Sequence, residues 1–188
     1  MKIKTGVSAR HVHVTKEDMK ILFGEGYELT KKIDLSQPFQ YASNEQVTIK
    51  GPKNSIARVR ILGPERSATQ VEISKTDSFK LGINPPVRNS GDLKGAASIT
   101  IIGPNGQITK NAAIIATRHI HASKDDAKKY GFENKKFVSV RVSGEKKGIL
   151  NNVYIRTSDE YRFELHLDTD DANAFLINNG QEVELIIE

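Results

Sequence analysis

One phrase occurs twice in this chain. Near its start the sequence reads Arg10-His11-Val12-His13-Val14-Thr15-Lys16-Glu17-Asp18, and much later Arg118-His119-Ile120-His121-Ala122-Ser123-Lys124-Asp125-Asp126. Together the two copies hold four of the five histidines. Residues i and i+2 of a strand share a face, so each His-x-His aims two imidazoles the same way. Thr15-x-x-Asp18 and Ser123-x-x-Asp126 resemble capping boxes, with Asp in place of the usual Glu, and start a short helix after each pair. The chain is thus constrained to present the same unit twice: strand, His-x-His, cap, short helix. Two such units suggest two metal ions.

The rest of the pattern is mainly β. Alternating segments at 46–50, 57–62, 69–73, 98–102, 106–109, 137–142, 152–156, 162–167 and 182–187 read as strands with one wet face. Gly-Pro pairs at 51–52, 63–64 and 103–104 mark turns between them. Short strands at this spacing imply barrels or sandwiches. The doubled unit favours two related β-barrels, each capped by a helix. Gly24 and Gly131 are expected to stop the two capped helices, and a third helix is expected from about 170 to 179, ended by Gly180. The stretch from Gly82 to Gly95, with Pro85-Pro86, reads as the longest loop and contains Arg88 and Asn89.

Composition narrows the chemistry. The 188 residues are 37% hydrophobic and 27% charged, enough for a folded core. There is no cysteine, so disulfides and thiolate ligands are excluded and a transition metal must use histidine and carboxylate. No apolar run approaches the roughly 18 residues of a membrane-spanning helix, and no secretory signal follows Met1-Lys2-Ile3-Lys4. A cytoplasmic protein with no membrane partner is expected. The net charge of +5 favours anionic partners. Lysines at 31–32, 128–129, 135–136 and 146–147 are scattered and not interleaved with aromatics, so no nucleic-acid partner is expected.

His166 lies on the polar face of its strand, opposite Phe163, Leu165 and Leu167, and is a candidate third ligand. A catalytic zinc takes three protein ligands and keeps a position open. Five histidines then need one carboxylate. Glu72, flanked by Val71 and Ile73, is the first choice, with Glu164 and Asp168 as rivals. Arg10 and Arg118 precede the histidine pairs, and Arg58, Arg60 and Arg66 surround the Gly63-Pro64 turn. Guanidinium forks suit phosphate, and Arg66 leads into the Glu72 strand, whereas Arg58 reads as a solvated surface residue. No glycine-rich phosphate loop is present.

Gly6-Val7-Ser8-Ala9-Arg10-His11-Val12-His13-Val14-Thr15, Leu62-Gly63-Pro64-Glu65-Arg66-Ser67-Ala68-Thr69-Gln70-Val71-Glu72-Ile73-Ser74 and Arg118-His119-Ile120-His121 together resemble the PduL-type phosphate propanoyltransferases, which are zinc-dependent phosphotransacylases. The resemblance spans essentially the whole chain. It implies two six-stranded β-barrels with two zinc ions in a cleft, and acyl transfer between coenzyme A and inorganic phosphate. By motif, His11, His13 and Glu72 would hold one zinc, with the coenzyme A sulfur at its open position. His119, His121 and His166 would hold the other, with water completing its shell. Arg66 matches the phosphate-binding arginine, and Ser8, Arg60, Leu62 and Asn173 match the nucleotide pocket.

The resemblance also implies discontinuous barrels. Residues 1–9 with 117–188 would form one barrel and 10–23 with 44–116 the other, with 24–43 a two-stranded insertion. A homodimer is expected. Microcompartment members carry an N-terminal extension that targets them to the shell lumen, and the motif here begins almost at Met1, so the cytoplasm is expected over that lumen. The implied substrates are acyl-CoA (acetyl- or propanoyl-CoA), phosphate and acyl phosphate. With no cysteine and no Ser-His-Asp arrangement, direct transfer is expected over an acyl-enzyme. A dinuclear metal hydrolase of phosphate or thioester substrates and a metal-dependent binding protein are the alternatives.

Overall fold

The computed structural model describes residues 1–187. In chain order, β1 (Lys2–Ser8) and β2 (His11–His13) lead into α1 (Lys16–Phe23). Then come β3 (Lys31–Asp34), β4 (Tyr41–Lys50), β5 (Ser55–Gly63) and β6 (Gln70–Glu72), and α2 (Lys75–Leu81). The middle of the chain supplies β7 (Val87–Arg88), β8 (Ala97–Ile102), β9 (Gln107–Ala116) and β10 (His119–Ala122). Last are α3 (Lys124–Lys129), β11 (Phe137–Val142), β12 (Gly148–Thr157), β13 (Glu164–Asp168), α4 (Thr169–Ala174) and β14 (Glu182–Ile186). No helix among the described residues is long and apolar enough to cross a membrane.

The strands close into two six-stranded barrels. One barrel runs β1-β13-β10-β12-β11-β14 and closes through the β1–β14 pair. The other runs β4-β5-β2-β6-β9 and closes through β8, which pairs with both β9 and β4. Short β3 and β7 pair with the ends of β4 and β9 that β8 leaves uncovered. Closure removes the exposed strand edges that would otherwise template aggregation. By compactness the chain divides into one unit of Met1–Ala9, Ser36–Pro38 and everything from Thr117, and a second of Arg10–Leu35 and Phe39–Ala116.

The two barrels share one plan. In each, the His-x-His strand lies between a parallel neighbour (β5 or β12) and an antiparallel one (β6 or β13). That antiparallel neighbour is followed by a parallel strand, β9 or β1. β9 precedes β10 in sequence just as β1 precedes β2, yet each sits in the barrel formed by the other repeat's strands. The duplicated units have therefore exchanged their leading strands, which is why neither barrel is continuous in sequence.

Each barrel has its own core. Phe132, Ile120, Val140, Val153 and Leu165 fill one, and Val12, Ile49, Ile61, Val71 and Ile101 fill the other. These are the apolar members of the alternating patterns, pointing inward as period-2 strands require. Wet faces are not always wet, however. Gln70 and Glu72, on the polar face of their strand, are only 2% and 9% exposed. They face the His-x-His strand instead of water.

The caps form as the sequence requires, with one difference. Ser123 accepts from the Asp126 amide at 3.0 Å, and the Asp126 carboxylate returns a bond to the Ser123 amide at 3.2 Å, a complete capping box. Thr15 accepts from the Asp18 amide at 3.1 Å, but the Asp18 side chain turns away to Thr69 and Lys110. This buried carboxylate, 2% exposed, ties α1 to β9 and to Thr69 just before β6. The helix expected at 170–179 is shorter, because it ends at Ala174 and the chain turns through Leu176 in the left-handed region. α3 is capped by Tyr130, one residue before Gly131. The helix α2 is unexpected from periodicity; Ser74 caps it by accepting from the Asp77 amide at 3.2 Å. The 82–95 stretch contains the two-residue β7.

Gly51 shows why one turn needs its residue. A Cβ there would run into the carbonyl of Leu81 at the end of α2, so the β4–β5 turn packs backbone to backbone against that helix. Gly51→Ala is expected to destabilise the protein by about 1–3 kcal/mol through overpacking. Thermal unfolding checks this: a transition lowered by several degrees is expected, and an unchanged one would contradict the packing.

Candidate functional site

Strand register builds two groups of three donors that could hold a metal ion, one in each unit. On β2, His11 lies opposite Glu72 and His13 opposite Gln70. On β10, His119 lies opposite His166 and His121 opposite Glu164. Directly opposed residues on an antiparallel pair have Cβ atoms about 4.5–5.5 Å apart, so their side chains meet on one face. The donor atoms of His11, His13 and Glu72 all lie within 4.8 Å of one another, as do those of His119, His121 and His166.

In the first group all three residues are buried. The His11 and His13 rings meet edge to face with centroids 5.0 Å apart, and His11 Nε2 is 3.5 Å from a Glu72 oxygen. His13 Nδ1 donates to the Leu62 carbonyl at 3.2 Å. A ring nitrogen engaged this way leaves the Nε2 lone pair for a metal. Burial, with the nearby His11 and Arg66, holds the His13 pKa well below 6.5, so its ring is neutral, as a ligand must be. Burial pushes the Glu72 carboxyl upward, but His11 beside it and the Ser90 hydroxyl outweigh it and keep the group ionised, well below the usual carboxylate range.

The second group is a histidine triangle. Ring centroids lie 4.7 Å apart for His119–His121, 5.2 Å for His119–His166 and 4.5 Å for His121–His166. His119 Nδ1 donates to the Thr117 carbonyl at 2.8 Å, again leaving Nε2 for a metal. Tyr161 stacks on His121 at 4.2 Å. His166 Nε2 lies 2.9 Å from the Glu164 carboxylate. Burial raises the Glu164 pKa, but His166 and the Ser36 hydroxyl prevail and hold it down at about 2. Nitrogen and oxygen donors in sets of three, without sulfur, fit zinc with an open coordination position.

The arginines divide by role. Arg10 Nε donates to the buried Asp77 carboxylate at 2.9 Å, and Arg118 pairs with Asp171 at 2.9 Å. Both are struts from a His-x-His strand to the helix after the third donor. Arg66 Nη1 donates to Ser90 Oγ at 3.1 Å and lies close enough to His13 to lower its pKa. Arg60 donates to the Ser43 and Asn44 carbonyls, and Arg58 is exposed at a left-handed bulge.

Of the residues matched to a nucleotide pocket, Arg60 is opposite His11 on β5 and Leu62 supports His13 through its carbonyl. Ser8 ends β1 opposite Asp168, and Asn173 is exposed on α4. Among the carboxylates weighed for the sixth donor, Glu164 lies beside His166 in the other unit, and Asp168 caps α4 by accepting from the Asp171 amide at 2.8 Å.

Three residues of the site escaped sequence reasoning. Gln70 Nε2 donates to Glu72 Oε1 at 2.6 Å and to Ser90 Oγ at 2.8 Å. Gln70 could have been found, because it shares Glu72's face two residues earlier. Ser90 and Tyr161 lie in irregular segments, where no period points to them.

Comparison with known proteins agrees with this geometry. The phosphate propanoyltransferase family profile matches residues 4–178. The chain is 53% identical to a phosphate propanoyltransferase of Thermotoga maritima, over 98% of this chain and 89% of that one. It is 55% identical to one from Priestia megaterium, over 95% and 82%, and 48% identical to one from Rhodobacter capsulatus, over 94% and 83%. The chain belongs to the phosphate propanoyltransferase family. It is accordingly an enzyme, an acyltransferase.

The site's electrostatics make stability depend on pH. The folded state keeps His13 unprotonated, while the unfolded chain protonates it below about 6.5, so stability falls as pH drops through that value. Glu72 and Glu164 have depressed folded pKa values, so their contributions are lost as pH falls below about 4.5. Chelator-treated protein should therefore unfold at progressively lower temperature from pH 7 to pH 4. In His13→Gln the loss near pH 6 should shrink while the loss below pH 4.5 remains. A flat profile would contradict this electrostatic account.

Proposed function

We propose that this enzyme interconverts short-chain acyl-CoA plus phosphate with acyl phosphate plus CoA, using two zinc ions. His11, His13 and Glu72 would hold one ion, and His119, His121 and His166 the other. The observation that carries this reading is the pair of complete three-donor groups at equivalent registers in a chain that belongs to this family. When bound, zinc would supply Lewis acidity to polarise the reacting carbonyl and to stabilise the negative charge of phosphate and of the departing thiolate.

The protein's own groups then have defined tasks. Arg66 binds phosphate through its guanidinium fork and offsets the charge that develops as a phosphate oxygen attacks the thioester carbon. Ser90, bonded to both Arg66 and Gln70, fixes that fork relative to Glu72. The C–S bond breaks as the new C–O bond forms, and CoA departs as the thiolate. In reverse, the thiolate attacks acyl phosphate. With no cysteine in the chain, no thioester acyl-enzyme can form, and transfer is direct within a ternary complex. Arg60, Leu62, Ser8 and Asn173 are assigned to the nucleotide end of coenzyme A.

Mixing the enzyme with acetyl phosphate and CoA tests the reaction. Acetyl-CoA and free phosphate are expected, with intersecting double-reciprocal lines. Release of acetate and phosphate without acetyl-CoA would mean a hydrolase, and no turnover would sink both. Arg66→Lys should lower kcat/KM for acetyl phosphate by about 10–100-fold while leaving the KM for CoA within about twofold, because a point charge cannot replace the fork. Unchanged saturation by acetyl phosphate would remove Arg66 from this role.

A further inference from the structure

We propose that Gln70 and Glu164 are equivalent positioning residues, each matched in hydrogen-bonding character to the third metal ligand beside it. The inference rests on the two-zinc reading above. Both residues stand two positions before that ligand, Glu72 or His166, and both lie opposite the second histidine of a His-x-His pair. The equivalence continues downstream. Two residues after each third ligand comes a helix cap, Ser74 or Asp168, and five after it comes the Asp that receives the strut, Asp77 or Asp171.

The residue types differ as the ligands differ. Glu72 is a carboxylate and can only accept, so its partner must donate, and the Gln70 amide does so at 2.6 Å. His166 presents its ring Nε2 to the acceptor-only carboxylate of Glu164, 2.9 Å away, a close ionic contact outside ordinary hydrogen-bond geometry. Glu164 does not belong to the group of three close donors, so it acts through His166.

Each positioning residue is itself held. Gln70 Oε1 accepts from the Gly91 amide at 2.8 Å while its amide nitrogen also reaches Ser90. Glu164 accepts from Ser36 and, at 3.2 Å, from Gln37. Gln37 is 3% exposed and grips the Arg162 backbone at both ends, at 3.0 Å to its carbonyl and 3.2 Å from its amide. This explains why the tripeptide Ser36–Pro38 belongs to the first unit although its neighbours belong to the second. Gly6, opposite His166 on β1, leaves the room: a Cβ there would stand 3.3 Å from the Glu164 carboxylate carbon.

The test is zinc affinity, measured by competition with a chromogenic chelator on one site at a time. His119→Ala leaves only the first group complete, and His11→Ala only the second. In the His119→Ala protein, Gln70→Glu sets a carboxylate against Glu72 and should weaken zinc by about 10–100-fold, as loss of an outer partner does. Glu164→Gln should there change affinity less than about twofold. In the His11→Ala protein the pattern should reverse. Ser36→Ala, which removes only an outer bond of Glu164, and Ser90→Ala, which removes the Gln70 bond together with the Ser90 contacts to Arg66 and Glu72, should shift the same respective sites several-fold and decide the matter if a first variant fails to fold. Affinities unchanged by any of these, or both sites weakened alike by one of them, would overturn the inference and leave the zinc sites standing. Wild-type protein that takes up no zinc would overturn the two-zinc reading itself.

Discussion

Everything in the candidate site depends on one backbone constraint, the antiparallel pairing that sets the first histidine of each pair opposite the third donor. His11 faces Glu72 and His119 faces His166 across a ladder only a few residues long. Side chains alternate along a strand, so a slip of one residue would turn every donor to the other face. The surroundings resist that slip. Buried Val12 and Ile120 anchor the opposite faces of the His-x-His strands, and the Arg10–Asp77 and Arg118–Asp171 pairs tie them to the following helices.

The same plan, executed twice, explains the fold. A single unit of strand, histidine pair, helix, hairpin, donor strand, helix and closing strand (β8 or β14) accounts for both halves once the leading strands are exchanged. Even the exposed left-handed residues match, with Arg58 on β5 and Asn152 on β12 in the equivalent hairpins. The halves have diverged where they meet the donors. One third donor is Glu72 and the other His166, and the residues beside them have changed character in step.

Much of this was legible in the sequence, for physical reasons that vary by element. The His-x-His pairs were readable because two side chains on one strand face need only local spacing. The β class followed from alternation at segments such as 57–62 and 137–142, which the structure places in β5 and β11. Glu72 and His166 stood out as candidate donors, but the equivalence of their segments was not readable. Gln70-Val71-Glu72 and Glu164-Leu165-His166 share no residue but a central aliphatic, although their registers are equivalent. Ser74 and Asp168 cap helices too short for a hydrophobic period to emerge. Burial of Gln70 and Glu72 also escaped, since alternation distinguishes two faces but does not say what covers the polar one.

We propose that these two donor groups each hold a zinc ion. Anomalous diffraction from crystals of the zinc-loaded protein, recorded on both sides of the zinc edge, tests it most directly. Two peaks per chain are predicted, one within about 2.0–2.2 Å of donor atoms of His11, His13 and Glu72 and one equally close to donors of His119, His121 and His166. A chain with no peak at either group, or with zinc bound only elsewhere, would contradict it.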